Sequence, residues 1–386
     1  MPVLNSIAGF APEMARWRRH LHANPELSYQ EYETAAFVAT KLRSFGIEVT
    51  EGLGGTGVVG VLQGANGDGP TVGLRADMDA LAIEERNDFE HRSTKPGVMH
   101  ACGHDGHTAM LLGAAKHLAA DRAFAGRVVF IFQPAEEMGG EDGGAARMIR
   151  EGLFERFPCG EIYGLHNWPG MPIGAFAAKA GPMMASGDGY EITIRSKGMH
   201  AAQPHRGSDV VYAAGQVIVG LQQIAARTTD PLQAIVVSTT QVHGGDAYNV
   251  LPNELVLRGT VRAFHPVARA GAEPGLRRVV DSICKLTGAE AEIRYERQYP
   301  TLINDDRSAQ QALAAGRAVF QQVDSAPPQT MIVEDFAFML EDRPGCYGWI
   351  GNGSDADGRI LHSAWYDFND DALPYGASWF AQIVQR

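Results

Sequence analysis

The chain reads as an α/β protein built on a mostly parallel sheet, interrupted by a smaller α+β insert of ferredoxin-like pattern. Three observations predict this. Short apolar runs alternate with helical periodicity through the first third. The middle of the chain follows the order β-α-β-β-α-β. The remainder returns to helices and short strands. A length of 386 residues exceeds what one ordinary core supports and fits about two domains. The expected boundaries are 1–184 with 298–386 for the outer domain and 185–297 for the insert.

Leu4 to Leu21 and Tyr32 to Phe45 carry helical spacing, the second ending at Gly46. Gly57 to Leu62 and Thr71 to Leu74 read as short buried strands. Thr108 to Leu118 is helical, and Val128 to Phe132 and Ile162 to Leu165 are further apolar strands. In the middle, Tyr190 to Ile194 alternates apolar and polar residues, as a half-exposed strand does. Val210 to Ala226 sets Val210, Ala214, Val217, Leu221 and Ile224 at helical spacing. Ile235 to Val242 and Leu255 to Phe264 read as strands, Leu276 to Leu286 as a helix and Ala291 to Tyr295 as a strand.

Apolar residues make up 45% and charged residues 20%, the proportions of a folded rather than a disordered chain. A formal net charge of -12, with no run of Lys and Arg, argues against a nucleic-acid partner. The stretch Met1 to Ile7 has no basic start and no long apolar run, so no signal peptide is expected. No window approaches the roughly 18 apolar residues of a membrane span. Cys102, Cys159, Cys284 and Cys346 are widely spaced and form no C-x-x-C pair, which fits a reducing, cytoplasmic setting.

The densest polar constellation runs from Met99 to His107 and contains His100, Cys102, His104, Asp105 and His107. One reading is a polar turn before a helix, with Cys102 as a small buried hydrophobe. The other is a metal site, because thiolate, imidazole and carboxylate are the ligands that zinc and its neighbours prefer. Cys102 and His104 can converge across an extended turn that the glycines permit. Glu136 and Glu137 follow the strand Val128 to Phe132, and His166 follows Ile162 to Leu165. Functional groups of open α/β sheets gather at such strand ends. Adjacent carboxylates point in different directions, so one can bind metal while the other reaches a water. His362, in the polar and aromatic stretch Leu361 to Asp370, completes four candidate ligand segments.

In this order the motifs resemble the M20 metallopeptidase family. The nearest branch is that of hippurate hydrolases, N-acyl-amino-acid amidohydrolases and plant auxin-conjugate hydrolases. The resemblance extends through Arg18-Arg19-His20-Leu21-His22, Pro25-Glu26-Leu27 and Leu74 to Leu81. It continues through Gly198 to His205 and Glu334-Asp335-Phe336. Ala82 departs from the proline common in that branch.

The resemblance implies two divalent ions per subunit, from among zinc, manganese, cobalt and nickel. It implies Cys102 as a bridging ligand, with His104, Glu137, His166 and His362. It makes Glu136 the general base and gives Asp79 the task of orienting a ligand. Asp77 stands where other branches carry a metal-binding His, and its role stays open. Metal lowers the pKa of water, to about 7 for zinc in favourable sites. Glu136 would take that proton and pass it to the leaving amine.

The resemblance further implies that the insert is a dimerisation lid giving a homodimer or tetramer. His200 would reach the neighbouring subunit's site as an oxyanion donor. Asn249 matches a substrate-contact position. Arg262 matches one that can hold a carboxylate, although a strand Arg is equally a surface charge. The expected substrate is a small N-acyl amino acid cleaved at its amide, with a di- or aminopeptidase on the same scaffold as the alternative. A cysteine hydrolase using Cys102 as nucleophile would ignore chelators. A non-catalytic metal-binding protein would have no use for Glu136.

Overall fold

The computed structural model describes residues 3–385. Met1, Pro2 and Arg386, the ends of the expected outer domain, lie outside the described residues. In chain order the chain forms α1 (Asn5–Gly9), α2 (Ala11–Ala23), α3 (Tyr32–Ser44), β1 (Glu48–Leu53), β2 (Gly57–Gln63) and β3 (Thr71–Asp77). There follow α4 (His104–Ala120), β4 (Arg127–Gln133), α5 (Gly144–Arg150), α6 (Leu153–Arg156), β5 (Glu161–Trp168), β6 (Ala175–Ala177) and β7 (Gly181–Met184). Next come β8 (Ser186–Arg195), β9 (Met199–His200), α7 (Val210–Gln223), β10 (Ile235–His243), β11 (Val250–Leu251), β12 (Glu254–Ala263), α8 (Pro266–Thr287) and β13 (Glu290–Tyr299). The chain closes with β14 (Leu302–Asn304), α9 (Asp306–Val319), β15 (Gln322–Asp324), α10 (Phe336–Asp342), β16 (Gly345–Gly351) and α11 (Leu373–Val384).

These elements divide into two compact units. One comprises residues 1–181, 303–328 and 334–386, the other 182–302 and 329–333. The first holds an eight-stranded sheet in the order β1-β2-β4-β3-β5-β16-β6-β15. Its centre, β4-β3-β5-β16, is parallel throughout, whereas β1, β2 and β6 join antiparallel neighbours. Parallel strands are covered on both faces and therefore read as continuous apolar runs. This is why Val128 to Phe132 is fully buried. It also means that β3, β4 and β5 end along the same edge, at Asp77, Gln133 and Trp168. Helix α4 packs against α2 and α11 in the main core.

The second unit is a four-stranded antiparallel sheet in the order β10-β12-β8-β13, with α7 and α8 on one face. Ile192, Ile194, Leu257, Val217, Leu221 and Leu276 form its core. This strand order and connectivity are those of the ferredoxin-like fold.

Three expected helices differ in extent. The helix read over Leu4 to Leu21 breaks at Phe10. Pro12, at the start of α2, presets a new first turn there. Helix α8 begins at Pro266, ten residues before the expected Leu276, and runs through Pro274. Burial of Ala268, Ala272, Leu276 and Val280 outweighs the lost backbone donor. Helix α4 begins at His104 rather than Thr108, which moves His104 and His107 from a loop onto a helix face.

Candidate metal centre

The parallel strand ends collect the polar residues of the first unit. Asp77 closes β3, and Asp79 lies two residues beyond it. Glu136 and Glu137 follow β4. His166 and Asn167 lie at the end of β5. Cys102 sits in the loop before α4, and His104 opens that helix. Gly103 joins them in the left-handed region, at φ 95°. A side chain there would meet Asn167 Nδ2 at 2.3 Å and the Tyr366 hydroxyl at 2.4 Å. Only glycine satisfies both the backbone angle and the space.

Five residues converge as two overlapping triads. The candidate ligand atoms of Cys102, His104 and His166 lie within 4.8 Å of one another, as do those of Cys102, Glu137 and His362. Cys102 belongs to both. Its Sγ is 3.4 Å from His166 Nε2, and Glu137 Oε1 is 3.2 Å from His362 Nε2. His362 is 52% exposed, whereas Cys102, His104 and His166 are buried. The backbone of His362 adopts φ 60°, with its N–H donated to the Ala101 carbonyl. Ala135, immediately before Glu136, is also left-handed at φ 49°. Its N–H is held by Glu31 Oε1 at 2.8 Å. Backbone held this way at a turn is a mark of functional sites.

Partner bonds fix the imidazoles. His104 Nδ1 faces the Asp79 carbonyl at 3.0 Å and Asp79 Oδ1 at 3.1 Å. Its Nε2 is buried without a hydrogen-bond partner among the described residues. The other Asp79 oxygen accepts from the Ser28 hydroxyl at 2.8 Å and the Glu137 N–H at 3.0 Å. Asp79 therefore sets both His104 and Glu137. His166 Nδ1 donates to the Asn167 carbonyl at 2.6 Å, which turns its Nε2 lone pair toward Cys102.

The electrostatics favour a cation. Burial, then the Glu137 and Glu136 carboxylates, push the Cys102 thiol well above its usual range. Burial, then Glu334 and Glu137, push the Glu136 carboxyl well above the carboxylate range. Burial opposes charge on His104, but Asp77 and Asp79 raise it to about 10. Burial and then His107 hold His166 well below the usual imidazole range. The same carboxylates that draw a proton to His104 draw a divalent ion to its unpartnered Nε2. Thiolate, imidazole and carboxylate together suit zinc, manganese, cobalt or nickel.

In two other groupings some of the candidate ligand atoms already bond protein partners. In Asp77–His104–His107, both His107 nitrogens already have partners, in Asp77 and Asn167. In Glu136–Glu334–Asp335, the buried Arg75 guanidinium bonds Glu334 at 3.0 Å and Asp335 at 2.9 Å. Glu136 Oε2 instead lies 4.0 Å from His104 Nε2, on the side of the two triads.

His200, Asn249 and Arg262 belong to the second unit. His200 is exposed on β9, which pairs with β11 through His200 and Val250. The Asn249 carbonyl accepts the N–H of Ala201, so His200 and Asn249 share one small ribbon. Arg262 is half-buried on β12, and its guanidinium bonds Thr260 and the Val261 carbonyl. Sequence reasoning assigned no part to Asn167, Tyr366 or Arg75, and counted His107 only as a member of its motif. His107 lies three residues after His104, on the same face of the helix that His104 opens. That spacing was the available signal.

A thiol, imidazole and carboxylate cluster at the parallel strand ends of an α/β sheet has the donor set of a metal centre. Residues 73–386 match the model of Peptidase family M20/M25/M40, and the chain belongs to that family. It is 39% identical to Thermostable carboxypeptidase 2 of Saccharolobus solfataricus, over 98% of this chain and 97% of that protein. It is 38% identical to Hippurate hydrolase of Campylobacter jejuni, over 100% of this chain and 99% of the relative. Among solved structures, the Bacillus subtilis YXEP protein, described as a dinuclear metal binding peptidase of the M20 family, superposes with a TM-score of 0.85. It shares 35% identity over 98% of both chains.

Proposed function

We propose that the protein hydrolyses the amide bond of small N-acyl amino acids, with two divalent ions held by Cys102, His104, Glu137, His166 and His362. The observation that carries the reading is the pair of triads sharing Cys102, with Glu136 beside them in a further grouping with His104 and Glu137. Such ions lower the pKa of water and polarise an amide carbonyl.

The chain's own groups supply the rest. Glu136 Oε1 faces the Asp335 N–H at 3.4 Å, which leaves Oε2 to accept a proton from the attacking water. Oε2 then returns that proton to the leaving nitrogen. Asp79 keeps His104 and Glu137 in register throughout. His200 donates to the carbonyl oxygen as it gains charge. Asn249 contacts the substrate, and Arg262 holds the carboxylate of its amino-acid part.

A homodimer is part of the proposal. Helix α7 exposes Val211, Tyr212 and Val219, and β10 is an edge strand exposing Val236 and Val242. Apolar side chains beside an unpaired strand edge are what a second copy covers. In that dimer His200 serves the partner's site. No described helix is long and apolar enough to cross a membrane. The cysteines form no disulfide among the described residues, which supports a reducing, cytoplasmic setting.

A second reading, a carboxypeptidase, is favoured by the 39% relative of that name. Hippurate hydrolysis and carboxypeptidase action share one demand, an acylated nitrogen next to a free carboxylate. The test is a substrate panel on protein reloaded with each metal. N-benzoyl and N-acetyl amino acids should turn over, and blocking their carboxylate should abolish it. Faster turnover of peptides than of N-acyl amino acids would select the second reading. Hydrolysis confined to dipeptides with a free amine would reject both.

A further inference from the structure

Asn167 is the hub behind one of the two triads. Its Nδ2 donates to the Cys102 carbonyl at 2.6 Å, and its own carbonyl accepts from His166 Nδ1 at 2.6 Å. Its Oδ1 accepts from the Tyr366 hydroxyl at 2.8 Å. One residue thereby ties Cys102 to His166, whose ligand atoms stand 3.4 Å apart.

What holds Asn167 can be traced donor by donor. Its backbone N–H points at His107 Nε2, 2.9 Å away. A backbone N–H only donates, so Nε2 must present its lone pair and the proton must sit on Nδ1. That Nδ1 donates to Asp77 Oδ1 at 2.6 Å. The other Asp77 oxygen accepts from Arg75 Nη1 at 2.6 Å, and an arginine also only donates. Arg75, Asp77, His107 and Asn167 are all at most 1% exposed, so losing a partner there is costly. The polarity of every bond in the chain is forced, and it runs from Arg75 to the peptide beside His166.

We infer that Asp77 and His107 are positioning residues that hold Asn167, and through it the Cys102–His166 pair, at ligating separation, and that neither binds metal. The inference rests on the proposed ligand roles of Cys102 and His166. Asp77→Asn is the diagnostic change because it alters almost no volume. Arg75 would capture the new amide oxygen. The amide nitrogen would then face His107, and one donor would confront another either there or at Asn167.

The experiment is cobalt(II) binding to the full-length protein, measured by competition with a chelator. The thiolate-to-cobalt absorption reports Cys102, and a thermal melt reports folding. Loss of such outer partners typically weakens metal binding about 10- to 100-fold. Asp77→Asn and His107→Ala should each show that loss with a weakened thiolate band, and the double variant should be no worse than either single one. His107→Gln, which can accept from Asn167 and donate to Asp77, should recover most of the affinity. Wild-type affinity in both Asp77→Asn and His107→Gln, with His107→Ala either unfolded or also unaffected, overturns the inference. So does loss of a whole ion in Asp77→Asn while His107→Ala keeps both, which would make Asp77 a ligand. A folded wild-type chain that takes up no cobalt refutes the ligand roles themselves, and is distinguishable from either result.

Discussion

Glu136 and Glu137 are neighbours with opposite environments. Glu137 is tied through its N–H to Asp79, and its carboxylate faces Cys102 and His362. Glu136 is packed against Glu334 and Asp335 and reaches toward His104. Glu136→Gln should therefore keep the fold and the metal content but lose about a hundred- to ten-thousand-fold in turnover. Glu137→Gln should lose metal. Metal analysis and steady-state rates on both variants check this, and a metal loss confined to Glu136→Gln would show the roles to be reversed. Residue type and strand-end position made Cys102, His104, Glu136, Glu137 and His166 legible as a candidate cluster. Asn167 was not legible. Asparagine is ordinary in turns, and its bonds exist only because Gly103 brings Cys102 alongside the end of β5.

At the scale of elements, α4 carries His104 and His107, and α2 anchors α4. Arg18 of α2 is fully buried and bonds Asp105 in the first turn of α4 at 2.8 Å. His22 reaches the same carboxylate at 2.9 Å. Burial pushes the Asp105 carboxyl upward, but Arg18 and His22 overcome it and hold it well below the usual range. A depressed carboxyl contributes stability that is fully present above its unfolded value, about 4, and is lost as the pH falls below that. Asp105→Asn should cost about 3–5 kcal/mol at pH 7, because it leaves Arg18 short of a buried partner. The gap from wild type should narrow steadily below about pH 4. Denaturant midpoints across pH check this, and a gap that stays constant on acidification would contradict it. Periodicity and apolar runs sufficed for the cores of β2, β3, β4, β5 and α4. They failed where tertiary packing overrode a local signal, as where α8 continues through Pro274. The small ribbon of β9 and β11 has two residues per strand, too few for any periodicity to show.

At the scale of the whole molecule, the proposed dimer makes one site depend on two chains. His200→Ala should lose about a hundred- to a thousand-fold in turnover, the usual cost of one oxyanion donor, with metal content unchanged. Mixing it with Glu136→Ala should restore activity, because in a mixed dimer one site combines an intact Glu136 with the partner's intact His200. Verified mixed dimers as inactive as their parents would exclude action across the interface. The central claim is hydrolysis at a centre where Cys102, His104, Glu137, His166 and His362 would hold two ions. Its most direct test is to strip the protein with a strong chelator, verify that it is metal-free, and titrate manganese or zinc while counting bound ions and following N-benzoylglycine hydrolysis. The account predicts no turnover in the stripped protein and recovery that completes at two ions per chain. Full activity in the verified metal-free protein, lost only when Cys102 is alkylated, would contradict it and point to cysteine chemistry instead.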